Sequence, residues 1–500
     1  NLFTFEHDME NLLYSQFLGP HAENSEVLKS LFNKVVDQHS AWRKQFYPED
    51  TSLFPASGVS SEVLEKELDS FLKQYSGMFP SFHPRYAAQM LKDPSLATIL
   101  GYLAFMLANP NNHAYEGGPA TTEMEMEVTR MMLAMAGFPE DGWGHLTSGG
   151  SLANLEVLWA VRDALPEGTV VFSSASHYSW KRICSILRIK DFVELPVDRA
   201  FRMDLHALRD LLKKKQVAFV MANLGSTGTG SVDDISELLQ LKESYGFHLH
   251  IDAAYGGFAR TLILDEKGNI LPYRESMPVS GYTYQQLVAL SQADSLTIDP
   301  HKLGAVSYGA GAVIYRDKTL RSVILNTAPY TYHLEDKPNI GTFSLEGSRP
   351  GAMAAACYLT YKVMPLHAEG LGSIIAASFS ASRKLYELID SSPLFSNLTQ
   401  PDLDINCFYV NSDDHTAESV SRRSLEIYHR FSLEAGLSPE VILSKFVVPP
   451  KTAALLMPNP DQSYLSVLRM VMMKHWGAMD DFRYVRQMFS ILEQAVKETA

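Results

Sequence analysis

Over residues 21–46 the apolar side chains recur at helical steps, and Val27, Leu28, Leu31, Phe32, Val35 and Val36 share one face. Asn24 or Ser25 is placed to cap the start of this helix. Residues 60–79 repeat the pattern, with Ser60 or Ser61 as the cap. Together they predict a helical arm over 1–85, whose apolar stripes must pack on something. The rhythm then changes. Short β-rich runs at 169–174, 191–197, 217–225, 247–253, 295–300 and 310–317 alternate with helical runs at 151–165, 177–187, 205–215 and 232–246. Alternation of this kind predicts βα units and a mostly parallel sheet buried on both faces. Ligands on such sheets bind at the carboxyl ends of the strands. From 351 a long helical run leads out, followed by helical runs at 372–391, 416–435 and 480–498 and strand-like pieces at 405–410 and 464–473. The expected organisation is an arm over 1–85, a large α/β domain over 86–355 and a small α+β domain over 356–500.

Composition narrows the class. With 500 residues, 46% of them hydrophobic, the chain has ample material for a large core, which excludes disorder. The formal charge of −14 argues against general nucleic-acid binding. The longest apolar stretch, 96–108, is too short to cross a bilayer and holds Thr98, Gly101 and Tyr102. The first residues carry Glu6, Asp8 and Glu10 and do not read as a secretory signal. Cys184, Cys357 and Cys407 form neither a disulfide framework nor a metal pattern, so a reducing, cytoplasmic setting with no bound metal is expected.

Five segments carry chemistry, each following or opening a predicted element. DPHKLG at 299–304 places Lys302 at a strand end, where a buried amine suits imine formation. HLHIDAAYGG at 248–257 ends a strand with Asp252, a carboxylate that needs a cationic partner. A protonated pyridine at ~4 Å would gain roughly 4 kcal/mol at an effective dielectric near 20. Ala254, two positions on, leaves room for a flat ring. TSGGSLANLEVLW at 147–159 opens a helix with Gly149, Gly150 and Ser151, a phosphate cradle or an ordinary cap. His177 in HYSW can stack on a ring, and Thr227 in LGSTGTGS can bond a cofactor or a substrate carboxylate. One ligand meets all five: a phosphate, a flat ring with a basic nitrogen, and an aldehyde. That is pyridoxal phosphate.

These segments, with NPNNHAYEGGPATTEMEMEV at 109–128 and LEGSRPG at 345–351, resemble the group II pyridoxal-phosphate decarboxylases, which share the aspartate-aminotransferase-type fold (fold type I). The likeness covers nearly the whole chain and is strongest to bacterial tyrosine decarboxylases, including the run at 23–51. It implies that Lys302 carries the cofactor, Asp252 pairs with the pyridine nitrogen, His177 stacks on the ring, and Gly149, Gly150 and Ser151 hold the phosphate. Thr227, Ala254 and His301 would line the cofactor. It further implies a homodimer with sites at the interface, Ser348 reaching the partner's phosphate, and a loop tyrosine that protonates the substrate carbon. Tyr330 matches that tyrosine by its spacing from Lys302, with Tyr332 a near competitor, and Tyr308 matches another active-site tyrosine of the bacterial group.

Two positions depart from that group. Gln89 stands where a substrate-facing histidine is common, and Val471 where a serine can meet the tyrosine hydroxyl. A site that loses its hydroxyl partners discriminates less for the hydroxyl. The expected activity is decarboxylation of an aromatic, tyrosine-like L-amino acid to its amine and carbon dioxide, with glutamate or aspartate as the alternative. GSRPG also fits the sphingosine-phosphate lyases, which cleave a carbon–carbon bond but usually carry a membrane segment. A silent, purely binding relative is disfavoured by the intact lysine, aspartate, histidine and phosphate loop.

Overall fold

The computed structural model describes residues 13–55, 57–326, 337, 339–437 and 439–499. Its centre is a seven-stranded sheet in the order β1-β7-β6-β5-β4-β2-β3. The strands are β1 Trp143–Thr147, β2 Thr169–Ser173, β3 Phe192–Leu195, β4 Val217–Asn223, β5 His248–Asp252, β6 Ser295–Ile298 and β7 Gly311–Tyr315. Strands β6, β5, β4, β2 and β3 pair in parallel. β7 runs against both β1 and β6. The sheet is therefore mostly parallel, as its near-continuous apolar runs require when both faces are covered. Only the edge strand β3 is substantially open to water.

β1 is the strand the sequence pattern hides, because WGHLT mixes a glycine and a histidine into five wholly buried positions. Gly144 is required by close approach: a Cβ there would stand 2.6 Å from Ile314 Cγ2 on β7.

The C-terminal part carries a four-stranded antiparallel sheet, β10-β11-β9-β8, from β8 Phe395–Asn397, β9 Ile405–Val410, β10 Ser444–Val448 and β11 Leu465–Val471. The helices Leu371–Asp390 and Met479–Glu498 pack together beside it. Arg469 on β11 ties this sheet to the large domain. Its guanidinium donates to the main-chain oxygens of Thr227 (2.8 Å), Gly228 (2.7 Å) and Ala88 (3.0 Å).

The N-terminal helices Ser25–Arg43 and Glu62–Leu72 bury none of their residues within the chain. Val27, Phe32, Val63, Leu64 and Phe71 are all exposed. Asn24 precedes the first helix without capping it by its side chain. Its amide instead donates to the carbonyls of Tyr14 (2.8 Å) and Phe17 (2.7 Å), fastening the helix to the preceding segment. Ser61 likewise leaves its helix uncapped and bonds the Glu65 carboxylate.

The 109–128 and 345–351 segments meet in one buried network. Glu125 pairs with the Arg349 guanidinium and accepts from Leu146 N (2.9 Å) and Asn112 Nδ2 (2.8 Å). Arg349 also donates to the Leu146 carbonyl on β1, and its own amide donates to Asn111 Oδ1 (2.9 Å). Removing one partner of a buried pair leaves a charge without compensation. Glu125→Leu is therefore expected to destabilise the protein by about 3–5 kcal/mol, with Glu125→Leu/Arg349→Met recovering much of the loss. Thermal unfolding followed by circular dichroism checks this. Equal midpoints for the single and double variants would show that the pairing is not what holds the network.

Candidate active site

Because β1, β2, β4, β5 and β6 all point the same way, the segments that follow them emerge at one edge of the sheet. There they enclose a cavity of about 390 Å³. Gly149, Gly150, Ser151, His177, Thr227, Asp252, Ala254, His301 and Lys302 all line it.

Asp252 ends β5 and is 8% exposed. Its Oδ2 accepts from Asn154 Nδ2 at 2.8 Å and from Trp180 Nε1 at 3.1 Å. Its Oδ1 takes a longer bond, 3.3 Å, from Ala254 N. Two side-chain donors from different helices thus hold a carboxylate that faces the cavity.

Lys302 follows β6, with Nζ 3.1 Å from Asp299 Oδ2. The same oxygen lies 3.4 Å from His301 Nε2. Ala310 N donates to His301 Nδ1 (3.2 Å), which places the imidazole proton on Nε2, toward Asp299. Burial pushes the His301 pKa down, partly offset by Asp299.

His177 follows β2, half-buried, and accepts on Nδ1 from Ser179 N (3.3 Å). Burial lowers its pKa, with the nearby Asp252 carboxylate opposing the shift. A neutral flat ring is thereby presented to the cavity.

The helix Gly150–Ala164 starts at the cavity wall. The first N–H groups of a helix have no intrahelical acceptor, and they carry the positive end of its dipole. A Cβ at position 150 would meet Asp299 Oδ2 at 3.0 Å and Ala254 Cβ at 3.2 Å, so this cradle stays open because the residue is glycine. An anion cradle, a buried carboxylate, an amine and a flat neutral ring around one cavity fit pyridoxal phosphate.

Other expected residues lie elsewhere. Tyr308 stacks on His301 with centroids 4.5 Å apart and donates its hydroxyl to Met90 O at 2.8 Å. Gln89 is exposed beside Met90. Val471 is buried in the core, with its amide donating to Ala87 O (2.8 Å), and it does not line the cavity. Ser348 is exposed and bonded by Asn111 Nδ2 at 3.2 Å, outside this chain's cavity. Tyr330 and Tyr332 lie outside the described residues.

Sequence reasoning missed Asn154, Trp180 and Asp299. Asp299 was within reach, as an acid three positions before the lysine. Asn154 and Trp180 reach Asp252 across 98 and 72 residues, with no spacing to announce it. A second hollow of about 260 Å³ opens beside His177 and Thr227, with Val197, Phe201, Phe446 and Val447 in its wall.

Residues 66–411 match the family profile described as "Pyridoxal-dependent decarboxylase conserved domain". The chain is 32% identical over 468 residues to an L-tyrosine decarboxylase of Enterococcus faecium, covering 75% of this chain and 76% of the relative. It is 30% identical over 286 residues to a probable L-tyrosine/L-aspartate decarboxylase of Methanopyrus kandleri, covering 57% and 71%. The fold matches the crystal structure of Catharanthus roseus tryptophan decarboxylase in complex with L-tryptophan, with a TM-score of 0.70, 17% identity and coverage of 95% and 98%.

Gly150→Ala should crowd the cradle without disturbing the core. We expect the dissociation constant of pyridoxal phosphate from the apoprotein to rise about ten- to a hundredfold, as overpacking by 1–3 kcal/mol implies. Fluorescence titration measures it, and unchanged affinity would mean that the cradle is not the phosphate site.

Proposed function

The chain belongs to the pyridoxal-dependent decarboxylase family, and on that premise we propose that it decarboxylates L-tyrosine or a closely similar aromatic L-amino acid. It is a pyridoxal-phosphate-dependent amino-acid decarboxylase. The observation that carries the aromatic reading is the 32% identity to an L-tyrosine decarboxylase across three quarters of both chains.

The cavity supports it. Among its described lining residues Lys302 is the only lysine or arginine, and the proposed mechanism already uses it. A second substrate carboxylate would find no guanidinium there, whereas the adjoining hollow is walled by Phe201, Phe446, Val197 and Val447.

When bound, pyridoxal phosphate supplies an electron sink for the pair released as the Cα–carboxylate bond breaks. The remaining work falls to the chain. Lys302 is the amine that would anchor the cofactor's aldehyde, and Asp299, 3.1 Å away, holds that amine in place. Asp252 would keep a proton on the ring nitrogen. His177 would lie flat against the ring, its neutral imidazole adding no charge to repel the pyridinium. The helix N-terminus at Gly149, Gly150 and Ser151 would hold the phosphate. Thr227 and His301 would fix the ring and the substrate carboxylate. Loss of carbon dioxide leaves Cα one proton short, and Tyr330, or Tyr332, is the proposed donor. One proton is consumed in each turnover.

Dimerisation belongs to the same proposal. The exposed apolar faces of Ser25–Arg43 and Glu62–Leu72 support a subunit interface. Ser348, exposed on its loop, is available to reach across it. A cytoplasmic setting is supported by three free, buried cysteines. Among the described residues no helix is long and apolar enough to cross a membrane.

A second reading, an acidic substrate, is favoured by the name of the Methanopyrus relative. Gln89, exposed beside Met90, likewise departs from the tyrosine-specific pattern. The two are separated by incubating the cofactor-loaded protein with L-tyrosine, L-phenylalanine, L-tryptophan, L-aspartate and L-glutamate and measuring amine and carbon dioxide. Tyramine is the expected main product, and Lys302→Ala is expected to abolish it. Turnover confined to aspartate or glutamate would overturn the aromatic reading, and an aldehyde product without carbon dioxide would point to the lyase alternative.

A further inference from the structure

Strand β5 alternates so that His248, His250 and Asp252 project to one face. The proposed mechanism uses only the aspartate. The two histidines are buried, yet they are not isolated.

A continuous chain of side chains runs back from the carboxylate. Asn154 Oδ1 lies 3.1 Å from His250 Nε2. His250 Nδ1 lies 2.9 Å from Ser295 Oγ, and Ser295 Oγ lies 2.8 Å from His248 Nε2. His248 Nδ1 then faces Asp294 at 4.0 Å, and Asp294 is paired with Lys242 at 2.6 Å near the surface. Thr297 Oγ1 also approaches His250 Nε2, at 3.4 Å. Phe219 stacks against both imidazoles, with ring centroids 5.7 Å and 5.9 Å away.

Donor logic fixes the direction of this chain. An indole N–H can only donate, so the bond from Trp180 makes Asp252 Oδ2 an acceptor. Asn154 must then turn its NH₂ to that oxygen and its carbonyl to His250. The carbonyl needs a donor, so Nε2 carries the imidazole proton. Nδ1 of a neutral ring is then an acceptor for the Ser295 hydroxyl, whose lone pairs receive His248 Nε2–H. Burial keeps the rings neutral, lowering the His250 pKa to about 3 and that of His248 to about 4.

We propose that His250 is a positioning residue for the cofactor: by donating to Asn154 Oδ1 it locks the amide, and the amide in turn fixes the Asp252 carboxylate offered to the ring nitrogen. Without that donor the Asn154 carbonyl is buried and unpaired, so the amide loses the anchor that holds its NH₂ in line with the carboxylate. Ser295 is the next link, because its hydroxyl selects the His250 tautomer that donates. This inference rests on the reading of Asp252 as the partner of the ring nitrogen.

The test compares two ligands on the apoprotein. One is pyridoxal phosphate. The other is its deaza analogue, with C–H in place of the ring nitrogen. The ratio of their dissociation constants reports the contact between Asp252 and that nitrogen, and spectral titration reads it without turnover. In the unsubstituted protein the analogue should bind more weakly. In His250→Phe the ratio should fall about tenfold, through weaker binding of pyridoxal phosphate alone. Ser295→Ala should shift it the same way by a smaller factor, and it decides the matter if His250→Phe does not fold. His250→Gln, which keeps an N–H donor, should restore part of the ratio.

An unchanged ratio in the variants that fold would overturn the positioning role while leaving Asp252 in place. An equal loss of both ligands would also overturn it, because general loosening of the cavity does not distinguish nitrogen from carbon. A ratio near one in the unsubstituted protein would remove the Asp252 reading, and this inference with it.

Discussion

Asp252 is a carboxylate buried at the end of the central strand, and such a group persists only where donors or a cation meet it. Here the donors come from two helices that pack on the sheet, Asn154 from Gly150–Ala164 and Trp180 from Ser179–Ile186. Each helix begins beside a proposed cofactor contact, the glycine cradle in one case and His177 in the other. Satisfying the carboxylate therefore sets the axial position of both helices, and with it the place of the cradle and of the imidazole. The electrostatic demand of one residue and the geometry of the cavity are the same constraint.

The opposite wall obeys a second local rule. Asp299 gathers His301 and Lys302 around one oxygen, so the amine is held by a neighbour within its own turn. Asp299 and Asp252 sit at the ends of adjacent parallel strands, and the cavity lies where the segments after them diverge. Neither wall depends on the small C-terminal sheet, which reaches the site through Arg469 and its grip on the loop at Thr227 and Gly228.

Much of this was legible in the sequence, for identifiable reasons. Strands β2, β4 and β7 announce themselves because burial on both faces demands long apolar runs, and β5 and β6 because Leu and Ile alternate with polar residues at a period of two. The cavity-lining residues follow from where those runs stop, since parallel strands bring their ends to one edge. The missing strands carry weaker signals: β1 includes a glycine, a poor strand former, β10 alternates exposed and half-buried residues, and β8 has three residues. Asn154 and Trp180 were hidden differently. On their helices they read as ordinary inward positions, and only the packed structure shows that one oxygen of Asp252 lies within reach of both. Val471 shows the converse. Its place in a motif suggested substrate contact, whereas its side chain is fully buried among the apolar residues of the core.

Arg469 holds Thr227, Gly228 and Ala88 by their main-chain oxygens, not by their side chains. A clamp on the backbone is indifferent to what the clamped residue carries. Thr227 and the neighbouring Gln89 are both exposed, so their side chains can be exchanged while the loop stays in register. A substitution at position 227 can thus change what the loop presents to the cavity without changing where the loop runs.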